Sequence, residues 1–151
     1  MESIIVYMDN AEWALSQLAP MAACEGTVPV RWVLVACPPR LSRHIGKWTS
    51  HAARESWRER WSAELFKQVE PALRRHGHCV DRVIAQGPLT QLTHQLVREH
   101  AAVHVLDARR PKFGEALAPV TPEQAARMPD AQWQLPAAVV GLATVLALAA
   151  D

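Results

Sequence analysis

The chain has 151 residues, which is enough for one compact domain and too few for two of ordinary size. Half of the residues are hydrophobic and 21% are charged, a composition that excludes wholesale disorder. The formal net charge is +1, so the chain lacks the overall positive field that is typical of nucleic-acid-binding proteins. We therefore expect a single globular domain over residues 1–151 that does not bind nucleic acid.

Two features of the sequence indicate a cytoplasmic location. Residues 1–6 lack the basic region and the long apolar run of a signal peptide. The three cysteines, Cys24, Cys37 and Cys79, are odd in number and widely spaced, which is typical of reduced thiols rather than a disulfide framework.

The first two thirds of the sequence alternate between β-branched apolar runs and segments with apolar residues at helical spacing. In chain order the predicted elements are a strand at residues 3–8, a helix at 10–24, a strand at 28–37, a helix from about 50 to 76, a strand at 79–85, a helix at 89–100 and a strand at 102–106. Such alternation with short connections predicts a doubly wound α/β fold, with a mostly parallel sheet of four or five strands and helices on both faces.

Local signals predict where the helices begin and end. Asp9 followed by Glu12 is typical of a capping box at the first helix. Thr49 or Ser50 is suited to cap the long helix, and Gly77 is suited to end it.

The texture changes after residue 110. Residues 111–135 form a proline-rich connection, in which Thr121, Pro122 and Gln124 favour a short helix to about residue 128. The apolar C-terminal element, residues 136–151, has two competing interpretations. It forms either a fifth strand at about 137–140 or a helix that begins at Pro136, and its alanine and leucine content favours the helix. The uncharged stretch is 16 residues long, shorter than the ~20 needed to span a membrane.

The order of elements and several local motifs resemble the universal stress protein family over residues 3–110. The motifs that carry this resemblance are IVYMDNAEWALSQLAPMAA, VRWVLVACPP, ALRRHG, VIAQGPLTQL and VREHAAVHVLDARR. The resemblance implies a doubly wound α/β sheet, commonly a dimer, and in one branch of the family the binding of an adenine nucleotide.

The nucleotide-binding branch uses glycines that let backbone N–H groups close on phosphates. When its pattern is laid on this chain, Asp107 and Arg110 stand at the first two glycines, and Val120 and Thr121 stand at the terminal Gly-Ser or Gly-Thr pair. Only the threonine survives, and the Asp107 carboxylate would repel phosphate. The resemblance therefore implies the fold but argues against tight binding of ATP or AMP, and we expect no cofactor.

Asp9 follows the first strand, at the edge of a parallel sheet where ligands bind. By resemblance it matches an aspartate that lies near the adenine or ribose in nucleotide-binding relatives. The capping box with Glu12 is the favoured interpretation, because the sequence shows it directly.

Basic residues follow two predicted strands at the same edge. Arg40, Arg43, His44 and Lys47 follow the second strand, and Arg109, Arg110 and Lys112 follow the fourth. They form either an anion pocket with Asp9 and Thr121 or a set of solvated loop charges.

Two further motifs are interpreted as structural. His76, His78 and Cys79 match no common zinc spacing, so a metal site is not expected there. Cys37 ends a strand near the expected cleft, and a buried, inert thiol is the favoured interpretation.

The apolar tail predicts self-association. In the universal stress protein family the matching region supplies dimer contacts through an edge strand, and an uncovered apolar segment would be an association hazard. We expect a homodimer whose interface residues are Val139, Val140, Leu142, Val145 and Leu146.

The functional prediction is a non-enzymatic, universal-stress-protein-like binding or regulatory protein with a role in stress response and weak or no ATP binding. The alternative is a nucleotide- or phosphate-binding protein, such as a hydrolase, with a divergent basic cleft. The sequence is compatible with a protein partner and with a small anionic ligand.

Overall fold

The structure is a computed structural model that describes residues 2–23, 28–39, 50–102, 104–111, 117–122, 124 and 144–147. It contains five strands and three helices within these ranges. In chain order they are β1 (Ser3–Met8), α1 (Ala11–Ala22), β2 (Arg31–Ala36), α2 (His51–Arg74), β3 (Cys79–Ile84), α3 (Leu89–His100), β4 (His104–Asp107) and β5 (Thr144–Ala147). Among the described residues, no helix has the length and apolar character needed to cross a membrane.

The five strands form one sheet in the order β3-β2-β1-β4-β5. β1 pairs in parallel with β2 and β4, and β2 pairs in parallel with β3. β5 is antiparallel to β4. The predicted α/β class with a mostly parallel sheet is confirmed, and the strand order reverses between β1 and β4.

Side chains of successive strand residues alternate between two hydrophobic clusters, as the pleat of a buried parallel strand requires. Val6 and Leu34 belong to a cluster that includes residues of α1 and α2. Ile5 and Val33 belong to a second cluster that includes Leu96 of α3. All four of these residues have no solvent-exposed surface. Because both faces of the central strands are buried, their sequences are continuous apolar runs.

Several element boundaries follow the predicted signals. Ser50 caps α2, where its hydroxyl accepts a hydrogen bond from the Ala53 N–H at 3.1 Å. Gly77 lies just past the end of α2 with a φ of 83°, a conformation that costs glycine little. β2 begins at Arg31 rather than at residue 28, because Pro29 has no N–H to donate to a neighbouring strand.

The predicted capping box at α1 is wrong. The helix begins one residue later than that box requires, and its cap is Asn10, whose Oδ1 accepts the Trp13 N–H at 2.9 Å. The Asp9 carboxylate instead accepts a hydrogen bond from the Arg110 N–H at 2.8 Å. Asp9 therefore links the end of β1 to the segment after β4.

The preferred helical interpretation of the tail is also wrong over Thr144–Ala147, which form β5. The alternative of a fifth strand is correct in kind, although that strand was predicted at 137–140, which lies outside the described residues. The strand conformation is favoured because β5 pairs with all four residues of β4. Without β5, this side of β4 would present a row of unpaired backbone groups. The helix predicted to residue 128 also lies outside the described residues beyond Gln124.

Candidate functional site

The candidate site lies at the carboxyl ends of β1 and β4, where the strand order reverses. Open α/β sheets bind their ligands in the crevice at this position. The backbone continues its pairing past the strand ends: the Ala108 N–H donates to the Tyr7 carbonyl at 2.8 Å, and the Cys37 N–H donates to the Met8 carbonyl at 2.9 Å. The residues that follow β1, β2 and β4 are therefore brought together here.

A buried ion pair occupies the end of β4. Arg109 Nε lies 2.9 Å from Asp107 Oδ1, and Arg109 Nη2 lies 2.9 Å from Asp107 Oδ2, a bidentate arrangement. The two side chains are only 4% and 10% exposed. Burial by itself lowers the pKa of Arg109, but the hydrogen bonds and charge of Asp107 outweigh it and hold that pKa above its ordinary value. The guanidinium therefore stays charged and paired.

The proline-rich connection is fastened to this ion pair. Arg109 Nη2 donates to the Ala118 carbonyl at 2.5 Å, and Gln124 Nε2 donates to Asp107 Oδ2 at 2.5 Å. Gln124 Oε1 also accepts the Val120 N–H at 2.6 Å. One glutamine side chain thus joins the end of β4 to the start of the next turn, and Ala118 and Gln124 are held against the Asp107–Arg109 pair.

Thr121 acts as a helix cap in this segment. Its hydroxyl accepts the Gln124 N–H at 3.1 Å, and the residue is 1% exposed. The predicted capping role of Thr121 and Gln124 is confirmed, except that the glutamine reaches back to Val120 rather than to the N–H of Thr121. Thr121, which is the only residue that matches the nucleotide-binding pattern, therefore caps a helix start with its hydroxyl.

Two nucleophile-type side chains lie near the ion pair. Burial raises the pKa of the Cys37 thiol to about 12, although the charge of Arg109 opposes it. Burial likewise raises the pKa of Tyr7 to about 12, against the hydrogen bond of its hydroxyl with Thr93. With these pKa values both groups are protonated at neutral pH, so neither offers a reactive anion. Cys37 is half-buried and not fully buried as expected from the sequence, and its inertness stays a prediction.

The structure brings four of the seven predicted ligand residues to one place: Asp9, Arg109, Arg110 and Thr121. Arg110 is exposed, whereas Arg109 is buried. Arg40, Arg43 and Lys47 lie outside the described residues, so their part of the anion-pocket prediction stays a prediction. Of the predicted dimer residues, Val145 and Leu146 lie in β5, and Val139, Val140 and Leu142 lie outside the described residues.

Sequence reasoning missed the partners of this network. The signal for the ion pair was present, because Asp107 and Arg109 are two residues apart in an extended segment and so fall on the same side. The contacts of Ala118 with Arg109 and of Gln124 with Asp107 had no local signal, since they join residues 9 and 17 positions apart in the chain.

His78 is the second residue whose role the sequence did not reveal. It is 5% exposed, its Nδ1 accepts the Val30 N–H at 3.0 Å, and its Nε2 lies 3.2 Å from the Ala22 carbonyl. These contacts are structural. Among the described residues, no group of three or more histidine, cysteine and acidic side chains is arranged to hold a metal ion.

No family model matches this chain, and comparison with curated proteins and with solved structures finds no significant match. The resemblance to the universal stress protein family therefore stays a prediction, carried by the order of elements and the motifs of residues 3–110.

Proposed function

We propose that this chain is a universal-stress-protein-like binding or regulatory domain that acts without catalysis and without tight ATP binding. The observation that carries the proposal is the buried Asp107–Arg109 pair, closed over by Gln124 and Ala118 at the end of β4. By resemblance, this is the position where the nucleotide-binding branch of the family holds phosphate.

The energetics of the pair support this proposal. A phosphate at the end of β4 would meet the Asp107 carboxylate, and like charges in a buried site repel strongly. To free Arg109 for phosphate, the protein would have to leave Asp107 unpaired, and breaking a buried ion pair costs roughly 3–5 kcal/mol. The arginine is therefore a poor phosphate ligand while the pair is intact.

Homodimer formation is the second part of the proposal. β5 is at an edge of the sheet and, within the described residues, pairs with β4 on one side. A strand edge presents a row of backbone groups that pair readily with another chain. Its sequence, Thr-Val-Leu-Ala, carries no charge that would discourage such pairing.

Native mass spectrometry of the purified protein tests both parts together. We expect the mass of two chains and no added mass that matches a nucleotide. A retained nucleotide would contradict the first part and favour the alternative, a nucleotide- or phosphate-binding protein with a divergent basic cleft. A single-chain mass at high micromolar concentration would contradict the second part.

A further inference from the structure

A second polar feature lies beside β3, outside the network of Asp107 and Arg109. It is a groove of about 400 Å³ between the first turns of α2 and the turn that follows β3. Its lining residues are His51, Arg54, Glu55, Arg58, Gln86 and Gly87. The groove is broadly open to solvent, so a ligand there would lie in a surface groove and not in an enclosed cavity.

The α2 wall of the groove carries concentrated charge. Arg54 and Arg58 are four residues apart and so share one face of the helix, where two like charges repel each other. Among the described residues, neither Arg54 nor Glu55 has an ion pair that would neutralise it. The two arginines and one glutamate leave this wall with a net positive charge.

The opposite wall is a backbone turn with little side-chain cover. Gly87 has a φ of 70°, and apart from its own atoms and those of its two chain neighbours, no described heavy atom lies within 4 Å of the position that a Cβ would take. Arg58 reaches across to this wall, where its Nη2 donates to the Ala85 carbonyl. This contact directs the guanidinium of Arg58 toward the turn and links the two walls of the groove.

We propose that this groove binds a small sugar phosphate. The guanidinium groups of Arg54 and Arg58 suit a phosphate, because each offers a planar fork of donors. A carboxylate beside them would repel a bare phosphate, but it accepts hydrogen bonds from hydroxyl groups. Hydroxyl groups of a sugar can donate to Glu55 and Gln86, and these hydrogen bonds offset the repulsion and favour a sugar phosphate over a bare phosphate.

Amide NMR spectra of the full chain test this proposal, with glucose 6-phosphate, inorganic phosphate and glucose as probes at constant ionic strength. We expect saturable shifts of the Gln86 and Gly87 amides with glucose 6-phosphate, weaker binding of inorganic phosphate, and no binding of glucose. Arg54→Gln should weaken glucose 6-phosphate binding about tenfold, or about 1.4 kcal/mol. Arg60→Gln is the matched control, because Arg60 is an exposed residue of α2 outside the groove, and it should bind as the wild type does.

A second variant keeps the test decisive if Arg54→Gln fails to fold. Glu55→Ala, which removes both the negative charge and the hydrogen-bond acceptor, should bind inorganic phosphate at least as well as the wild type and lose its preference for the sugar phosphate. The proposal is overturned if the wild type shows no saturable shift, or if Arg60→Gln weakens binding as much as Arg54→Gln. Shifts at Asp9 and Arg110 in place of Gln86 and Gly87 would also overturn it, and would assign the anion to the β1–β4 edge. The proposed function does not depend on this result, since it concerns the ends of β1 and β4 and not the groove beside β3.

Discussion

At the scale of single residues, His78 joins three separate parts of the chain. Its ring lies between the Val30 N–H and the Ala22 carbonyl and meets the Trp32 ring edge to face, with the centroids 6.0 Å apart. Because the Val30 N–H can only donate, Nδ1 must accept, and Nε2 therefore carries the proton that is donated to Ala22. The end of α1 and the start of β2 are thus fixed by one neutral imidazole.

Replacing His78 by alanine should destabilise the protein by about 2–4 kcal/mol, because two buried backbone groups lose their partner. Urea denaturation measures this loss. His76→Ala is the matched control, since His76 is exposed and its replacement should change stability by no more than about 0.5 kcal/mol. Equal stabilities for the two variants would refute the structural role of His78.

Glu70 supplies a pH-dependent contribution to stability. Burial by itself raises the pKa of this carboxyl, but hydrogen bonds from Arg74 and Arg82, at 2.5 and 2.6 Å, outweigh it and lower the pKa below its ordinary value. A lowered folded-state pKa stabilises the protein above the unfolded pKa of about 4.3, and the stabilisation is lost as the pH falls through the folded value.

Glu70→Gln should therefore cost most at neutral pH. We expect a loss of about 1–2 kcal/mol at pH 7, less than for a fully buried pair because both arginines are more than half exposed. The difference from the wild type should shrink as the pH is lowered to about 3. Thermal or urea unfolding across this range measures it, and a difference that grows toward low pH would contradict the assignment.

At the scale of elements, the strands and helices were predicted where the local pattern alone decides them. β1 matches its predicted bounds because Ser3 and the five-residue apolar run at 4–8 are followed directly by Asp9 and Asn10. β5 was not predicted at Thr144–Ala147, because its alanine and leucine residues favour a helix locally. Its strand conformation comes from pairing with β4. Local propensity does not include this pairing, because β4 is distant in the sequence.

Two substitutions at the start of α1 test whether Asn10 caps this helix in place of a capping box formed by Asp9 and Glu12. Asn10→Ala should destabilise the protein by about 1 kcal/mol, since it removes the side chain that caps Trp13. Glu12→Ala should cost no more than about 0.5 kcal/mol, because Glu12 contributes only its charge near the helix N-terminus. Chemical denaturation of the two variants distinguishes them, and a larger cost for Glu12→Ala would restore the capping box.

At the scale of the whole molecule, the parallel pairing of β1 to β4 was predictable because strands joined through helices must run in the same direction. The candidate site was predictable only in position. The sequence indicates that Asp9, Arg109, Arg110 and Thr121 meet at one edge, and the two-residue spacing of Asp107 and Arg109 is compatible with an ion pair, but it does not reveal that the pair is buried. That burial is a property of the folded chain, in which Arg109 also donates to the distant Ala118 carbonyl.

The homodimer is predicted to depend on the apolar tail. Val140→Glu combined with Leu146→Glu should give a monomer or an insoluble protein, because charge is unfavourable in an apolar interface. Val28→Glu is the matched control, since Val28 is 73% exposed and lies far from the tail in sequence. Light scattering after size-exclusion chromatography measures the mass, and a stable wild-type monomer at high micromolar concentration would contradict the prediction.

The central claim is that the Asp107–Arg109 pair and its cover leave the β1–β4 edge without a nucleotide site. Titration calorimetry of the wild-type protein with ATP and Mg²⁺ tests it most directly. We predict no binding tighter than about 100 μM, which corresponds to roughly 5.5 kcal/mol. A dissociation constant in the low micromolar range would contradict the claim, because such affinity requires phosphate contacts that the ion pair denies.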